Sequence, residues 1–145
     1  MTGVMDYMFD LYRIQPTQGA VYTDTNPRTT APDIVEGDLA VASFNVLNYF
    51  VTLDGSGDIC GPAGNVNCRG ADNPEEFVRQ RAKILAALDE INADVYGLME
   101  IENDRPDGED PVADLVAGLN DIQGAGTYTY IDTGYIGTDA IKQAI

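Results

Sequence analysis

The central part of the chain alternates apolar runs with polar, glycine-rich segments. Residues 39–50 (LAVASFNVLNYF) are short and almost continuously apolar, which predicts a buried strand covered on both faces. From Asn73 to Asn92 the apolar side chains recur at helical spacing, with Asn73 placed as the N-cap and Pro74 in the first turn. Residues 93–101 (ADVYGLMEI) form a second apolar run. Strand, helix and strand in this order predict one β-α-β unit with parallel strands.

Further elements are predicted C-terminal to this unit. Asp110 is a suitable N-cap and Pro111 a suitable first residue for a second helix with an apolar face. Residues 127–131 alternate threonine with tyrosine or isoleucine, which predicts a strand. Another strand is expected within residues 135–145, and we interpret the end at Ile145 as a truncation within it. The whole pattern indicates the α/β class.

The N-terminal part follows a different pattern. Residues 4–14 are apolar and aromatic with interspersed charges, and they predict a strand. Residues 15–38 are rich in Pro, Thr, Gly and Asp and have no sustained period, which is typical of a linker. The first strand therefore need not belong to the core formed by the rest.

Composition narrows the classes of function. The 145 residues include 24 acidic and 8 basic ones, for a formal net charge of −16, and contain no histidine. Without histidine, no scheme of acid–base or metal chemistry that needs an imidazole can operate within this chain. No run of Lys and Arg is present to follow a phosphate backbone, so a stand-alone nucleic-acid binding module is disfavoured. No apolar stretch approaches the length of a membrane span, so no membrane partner is expected.

The two cysteines, Cys60 and Cys68, enclose a segment with glycines and a proline that allow the chain to turn back. Zinc would need two further ligands that the sequence lacks. We favour a disulfide over two free or buried thiols, and a disulfide implies an oxidising compartment. The N-terminus has no basic region typical of a signal peptide, so a signal for secretion would have to lie upstream.

Two polar residues stand inside the apolar strands. Asn45 lies in the first strand of the β-α-β unit, and Glu100 lies near the end of the second. The carboxyl ends of parallel strands share one edge of a sheet, where ligands of α/β proteins collect, so we expect these side chains to be close together. A carboxylate and an amide there suit a hard divalent cation such as Mg²⁺, which would stabilise charge in phosphoryl transfer. Alternatively, Glu100 is a solvated carboxylate at the strand end and Asn45 caps a turn.

The polar segments that follow carry weaker signals. The acidic cluster beginning at Glu102 lacks the order of a calcium-binding loop, and we interpret it as a solvated loop plus a helix cap. Its members are Glu102, Asn103, Asp104, Asp107, Glu109 and Asp110. Lys142 stands near Asp139, which predicts either an ion pair or a contact with substrate.

Four segments together resemble one family. They are VASFNVLNYF, CRGADNPEEFVRQRAKILAAL, ADVYGLMEIEND and GTDAIK, all between residues 39 and 145. In order and approximate spacing they are similar to the secreted bacterial nucleases of the endonuclease/exonuclease/phosphatase superfamily, the group similar to DNase I. TGVMDYMFDLYRIQPT also looks like the last strand of an upstream OB-like domain. The resemblance implies an OB-like end at 1–16, a linker at 17–38 and the N-terminal part of the catalytic domain at 39–145.

The resemblance also implies a fold and a chemistry. The fold is a four-layered α/β sandwich, of which only the N-terminal portion would be present. The activity is hydrolysis of phosphodiesters in DNA, or in RNA, with Mg²⁺, Mn²⁺ or Ca²⁺. Glu100 matches the metal-binding glutamate, and Asn45 matches the catalytic asparagine that contacts the phosphate or its metal. Asp139 and Lys142 fall in a recurrent segment and are candidate substrate contacts.

The chain also departs from the family. The histidine that activates water is missing, so we expect this chain alone to be inactive. Half a sandwich leaves strand edges and an apolar face open, which predicts self-association. A phosphodiesterase for lipid or inositol phosphates, and a non-catalytic acidic interaction module, stay open as alternatives.

Overall fold

The chain forms two compact units in a computed structural model that describes residues 2–55, 57–103 and 110–145. The first unit is Met1–Thr30 and the second is Ala31–Ile145. The division falls inside residues 15–38, whose composition is typical of a linker.

The N-terminal unit contains a β-hairpin. Strand β1 (Gly3–Met8) pairs antiparallel with β2 (Leu11–Pro16). The prediction of one strand over residues 4–14 is therefore wrong. The chain reverses at Phe9 and Asp10, whose φ angles are 53° and 59°. Two successive positive φ angles match the twist of a tight hairpin, but phenylalanine is an unusual residue there and gives no turn signal.

The second unit is a mixed α/β structure with one three-stranded sheet. Its elements are β3 (Val41–Tyr49), α1 (Pro74–Ile91), β4 (Val95–Glu102), α2 (Pro111–Gln123) and β5 (Ile141–Ala144). The sheet order is β3-β4-β5, with β3 and β4 parallel and β5 antiparallel to β4. The predicted β-α-β unit is confirmed.

Both helices begin at the caps that the sequence predicts. The Asn73 side chain accepts a hydrogen bond from the Glu76 amide at 2.9 Å, and Asp110 accepts from two amides of the first turn of α2. These bonds satisfy amides that have no partner within the helix. Helix α1 ends at Asn92, which adopts a left-handed conformation with φ 47°. Asn and Gly tolerate this conformation best, and the helix thus ends where the apolar spacing from Asn73 to Asn92 ends.

The helices cover one face of the sheet. Side chains alternate along β3, so that Val46 is buried against α1 and α2 while Val41 is 68% exposed on the opposite face. The prediction that this strand is covered on both faces is wrong, because both helices pack on the same side. The largest fully buried side chains of this core are Tyr49, Leu88, Ile101, Leu115 and Val46.

Residues 127–131 have no strand structure, in contrast to the prediction. The backbone of Tyr128 bonds to a side chain instead of to a neighbouring strand. The Asn120 side chain of α2 accepts from the Tyr128 amide at 2.8 Å and donates to the Tyr128 carbonyl at 3.0 Å. The aromatic ring of Tyr128 packs against the core. The alternating pattern therefore reflects a coil with partly buried tyrosines rather than a strand.

Cys60 and Cys68 form the predicted disulfide. Both cysteines are buried with Phe50 and Ala140 in a second, smaller core. The bridge closes the irregular segment between β3 and α1. Within the described part of the chain, neither helix is long and apolar enough to cross a membrane.

Candidate functional site

Asn45 and Glu100 meet near the carboxyl ends of the parallel strands. Asn45 is opposite Met99 in the register of β3 and β4, and its Nδ2 donates to Glu100 Oε1 at 2.7 Å. The predicted closeness of these two residues is confirmed. Their roles in catalysis and metal binding stay predictions.

The backbone of both strands is irregular at this level. Glu100 has a φ of 62°, and Leu47 and Asn48 have φ angles of 55° and 53°. The β3–β4 register shifts between Asn45 and Tyr49, and the β4–β5 register shifts between Leu98 and Ile101. Left-handed conformations are costly for residues other than glycine and collect at functional sites. The sheet therefore departs from regular geometry at the place where the two polar side chains meet.

Side chains hold the turn in β3. Asn45 Oδ1 accepts from the Leu47 amide at 2.7 Å, which confirms that Asn45 caps a turn. Gln80 of α1 donates through Nε2 to the Leu47 carbonyl at 2.9 Å and to the Asn48 carbonyl at 3.4 Å. Gln80 gave no signal in the sequence, because a polar residue on a helix is ordinarily solvated.

Beyond Glu100 the chain enters the protein interior. Glu102 is 5% exposed, and its Oε2 accepts from the Val51 amide at 2.8 Å and the Thr52 amide at 3.1 Å. These bonds fix the start of the segment that the disulfide closes. The interpretation of Glu102 as part of a solvated loop is therefore wrong, because the irregularity at Glu100 places both Ile101 and Glu102 inside.

Asn103 is also buried. Its side chain donates to the carbonyls of Ile136 and Asp139, both at 2.8 Å, and accepts from the Ile136 amide at 2.9 Å. It thus fixes the segment that leads into β5, and its predicted place in a solvated loop is wrong too. Asp110 caps α2 as expected. The other members of the predicted acidic cluster, Asp104, Asp107 and Glu109, lie outside the described residues.

Lys142 lines the same surface depression as Asn45 and Glu100. It is 7% exposed, and its Nζ donates to the Gly134 carbonyl at 2.7 Å. Asp139 is oriented differently, since its Oδ1 lies 2.5 Å from a guanidinium nitrogen of Arg69. Of the two candidate substrate contacts, Lys142 therefore lies beside the Asn45–Glu100 pair. Asp139 instead forms an ion pair with Arg69.

A partly buried polar cluster contacts the end of β3. The hydroxyl of Tyr49, the last residue of β3, donates to Asp114 of α2, and Arg81 Nε donates to the same carboxylate at 2.7 Å. Burial, together with the Asp114 carboxylate, raises the pKa of Tyr49 far above its ordinary value, so the phenol stays a donor. The cluster ties β3, α1 and α2 together where the strand leaves the site. No local pattern in the sequence indicates this cluster, because its members are far apart in the chain.

The donor set at the site fits a cation held through one carboxylate. Among the described residues, no group of three or more His, Cys, Asp or Glu is placed to hold a metal ion. Mg²⁺ needs fewer protein ligands than that, since it commonly keeps several waters and uses one or two carboxylates plus phosphate oxygens. Glu100 supplies such a carboxylate. Asn45 presents its nitrogen to that carboxylate and its oxygen to Leu47, which suits a residue that orients the ligand.

Comparisons of the chain with protein-family models, with curated proteins and with solved structures find no significant match.

Proposed function

We propose that this chain carries the metal-binding part of a phosphodiesterase that acts on nucleic acid. The observation that supports it is the Asn45–Glu100 hydrogen bond at the carboxyl edge of two parallel strands, within a locally irregular backbone. This is the edge at which α/β proteins bind ligands. The resemblance of residues 39–145 to nucleases similar to DNase I adds the substrate class.

Each side chain has a chemical task in this proposal. Glu100 would hold Mg²⁺, or Mn²⁺ or Ca²⁺ in its place, and the cation would neutralise charge that develops on the phosphate. Asn45 fixes the orientation of the carboxylate. Lys142 lines the same depression, and its buried ammonium group, which donates to the Gly134 carbonyl, adds positive charge near the phosphate. No histidine is present to activate water, so we expect binding without turnover from this chain alone.

The proposal extends to the architecture and the compartment. The three-stranded sheet with both helices on one face would be the first portion of a four-layered sandwich, and the N-terminal hairpin would belong to an upstream OB-like domain. The Cys60–Cys68 disulfide supports an oxidising compartment, in keeping with secretion.

Binding of Mn²⁺ by the purified chain, followed by electron paramagnetic resonance, tests the metal site. We expect Glu100→Gln to weaken Mn²⁺ binding roughly tenfold or more, because it removes the charged ligand. Asn45→Ala should weaken binding less. Glu36→Gln removes an exposed carboxylate elsewhere in the same unit and serves as the matched control. Equal Mn²⁺ affinity in the parent chain, Glu100→Gln and Glu36→Gln would contradict the proposal.

A plasmid-nicking assay with Mg²⁺ or Mn²⁺ tests the expected lack of turnover. The chain should leave supercoiled plasmid intact, as should Glu100→Ala. Clear nicking by the parent chain above that of Glu100→Ala would contradict the expectation that turnover requires a histidine, which this sequence lacks.

A non-catalytic acidic interaction module is the second candidate. The composition favours such a module, because acidic residues outnumber basic ones 24 to 8 and histidine is absent. The Mn²⁺ titration separates the two, since the module needs no cation at Glu100.

A further inference from the structure

Basic residues that are separate in the sequence come together on the surface. The chain has only 8 Lys and Arg residues. Three of them, Arg69, Arg79 and Lys83, line one groove beside the β3 turn at Leu47 and Asn48. Arg79 and Lys83 are one helical turn apart on α1 and therefore point the same way. The linear sequence showed no such cluster, because Arg69 lies well before α1, directly after Cys68.

This groove is continuous with the candidate site. A second depression is lined by Asn45, Leu47, Gln80 and Lys83, so it shares three lining residues with the groove. Asn45 also lines the depression that holds Glu100 and Lys142. Through these shared lining residues the three depressions adjoin one another, from Arg69 and Arg79 past Lys83 to Asn45 and Glu100. We refer to Arg69, Arg79 and Lys83, with the path from them to Glu100, as the basic track.

The positive groups of the track are accessible to an anion. Arg79 lies 3.6 Å from Glu76 and Arg69 lies 2.5 Å from Asp139, and the two arginine side chains are 61% and 41% exposed. Ion pairs this exposed contribute little free energy, about 0–1 kcal/mol, so a phosphate can compete for the guanidinium groups. Lys83 is exposed as well. The track therefore offers charge to a ligand without requiring the fold to change.

We propose that the basic track binds the phosphate backbone of a nucleic acid and leads it to Glu100. This inference rests on the proposed function, since it gives the substrate a path to the candidate site. Elsewhere the surface of a chain with a net charge of −16 repels polyphosphate. Repulsion outside the track and attraction along it would together orient the strand.

Fluorescence anisotropy of a labelled DNA duplex tests the track, at low salt and with EDTA present. The double variant Arg79→Gln/Lys83→Gln should bind at least about tenfold more weakly than the parent. The slope of log affinity against log salt should shrink by about 1.8, because each lost phosphate contact removes about 0.9. The matched control is Arg13→Gln/Arg28→Gln, which makes the same change in net charge in the N-terminal unit and should keep the parental slope.

The charge-retaining variant Arg79→Lys/Lys83→Arg should restore most of the affinity and the slope. Equal losses in the track variant and the control would overturn the proposal, because they would reflect net charge alone. A parent chain that does not bind duplex at low salt would overturn it too. EDTA removes divalent cations, so the DNA-binding result is independent of Mn²⁺ binding at Glu100. The chain can bind Mn²⁺ and show no role for the track, or bind DNA through the track and not bind Mn²⁺.

Discussion

At the scale of single residues, Glu100 combines a charged side chain with an unfavourable backbone. Its φ of 62° puts an L-residue in a region that glycine occupies with far less cost. The surrounding structure maintains this conformation through the buried residues that follow, Ile101 and Glu102. The rest of the fold therefore offsets the cost of a backbone conformation that directs the Glu100 carboxylate at Asn45.

We expect Glu100→Gly to be more stable than Glu100→Ala by about 0.5–1 kcal/mol in urea unfolding. Both variants lose the bond to Asn45, so their difference reports the backbone alone. The neighbouring Met99, which is not among the residues with positive φ, provides the control. There the alanine variant should be the more stable one. Equal stability of Glu100→Gly and Glu100→Ala would show that the position carries no strain.

The candidate pair itself could be predicted from the sequence, but its orientation could not. Asn45 and Glu100 stand out as polar residues in apolar strands, and parallel pairing brings them together. The positive φ angles, the bonds from Gln80 and the burial of Glu102 arise from tertiary contacts over more than thirty positions, as in Gln80 to Leu47. No local pattern encodes such contacts.

At the scale of elements, Tyr96 joins β4 to the end of α1. Its hydroxyl donates to the Leu88 carbonyl at 2.7 Å and accepts from the Ala93 amide at 2.8 Å. Burial of the ring raises the pKa of Tyr96 to about 12. The connection between helix and strand therefore depends on a neutral phenol.

The stability of the fold should decrease at alkaline pH. Tyr96 in the unfolded chain loses its proton near pH 10, whereas in the fold it keeps the proton until about pH 12. Its contribution is therefore complete below pH 10 and is lost between pH 10 and pH 12, at no more than about 1.4 kcal/mol per pH unit. Urea unfolding across this range should show a shallower loss for Tyr96→Phe than for the parent.

Two features of the chain sharpen that comparison. Tyr49 also has a raised pKa, so the variant should keep part of the alkaline loss. Tyr135→Phe, which changes an exposed tyrosine, should retain the parental pH dependence. If Tyr96→Phe and Tyr135→Phe follow the parent equally, the Tyr96 phenol does not couple folding to pH.

Element boundaries with chemical signals were predictable, and those without were not. Asn73 and Asp110 are side chains whose oxygens fit a helix N-terminus, so both helix starts follow from the sequence. The hairpin turn at Phe9 and Asp10 lacks glycine and asparagine. The coil at residues 127–131 depends on Asn120, a partner that an alternating pattern cannot reveal.

At the scale of the whole molecule, the sheet of the second unit has an open face and an open edge. Val41 is exposed on the face away from the helices, and within the described residues β3 pairs only with β4. Open edges and apolar faces pair with other chains. The net charge of −16 opposes such contact through repulsion that salt screens.

We expect the chain to self-associate, and more so as salt increases. Val41→Lys should shift sedimentation velocity profiles toward the monomer, because it places a charge on the open face of an edge strand. Val78→Lys is the matched control, since Val78 is 65% exposed on α1, close to the 68% of Val41. A monomer at all salt and protein concentrations would contradict this expectation.

Glu102 and Asn103 also determine which parts of the molecule tolerate change. They hold one loop through the amides of Val51 and Thr52, and another through backbone groups of Ile136 and Asp139. Because these hydrogen bonds all go to main-chain groups, the side chains of both loops can diverge without loosening this attachment. Substitutions can thus accumulate in the loops around the candidate site, while Glu102 and Asn103 at the end of β4 keep both loops in position.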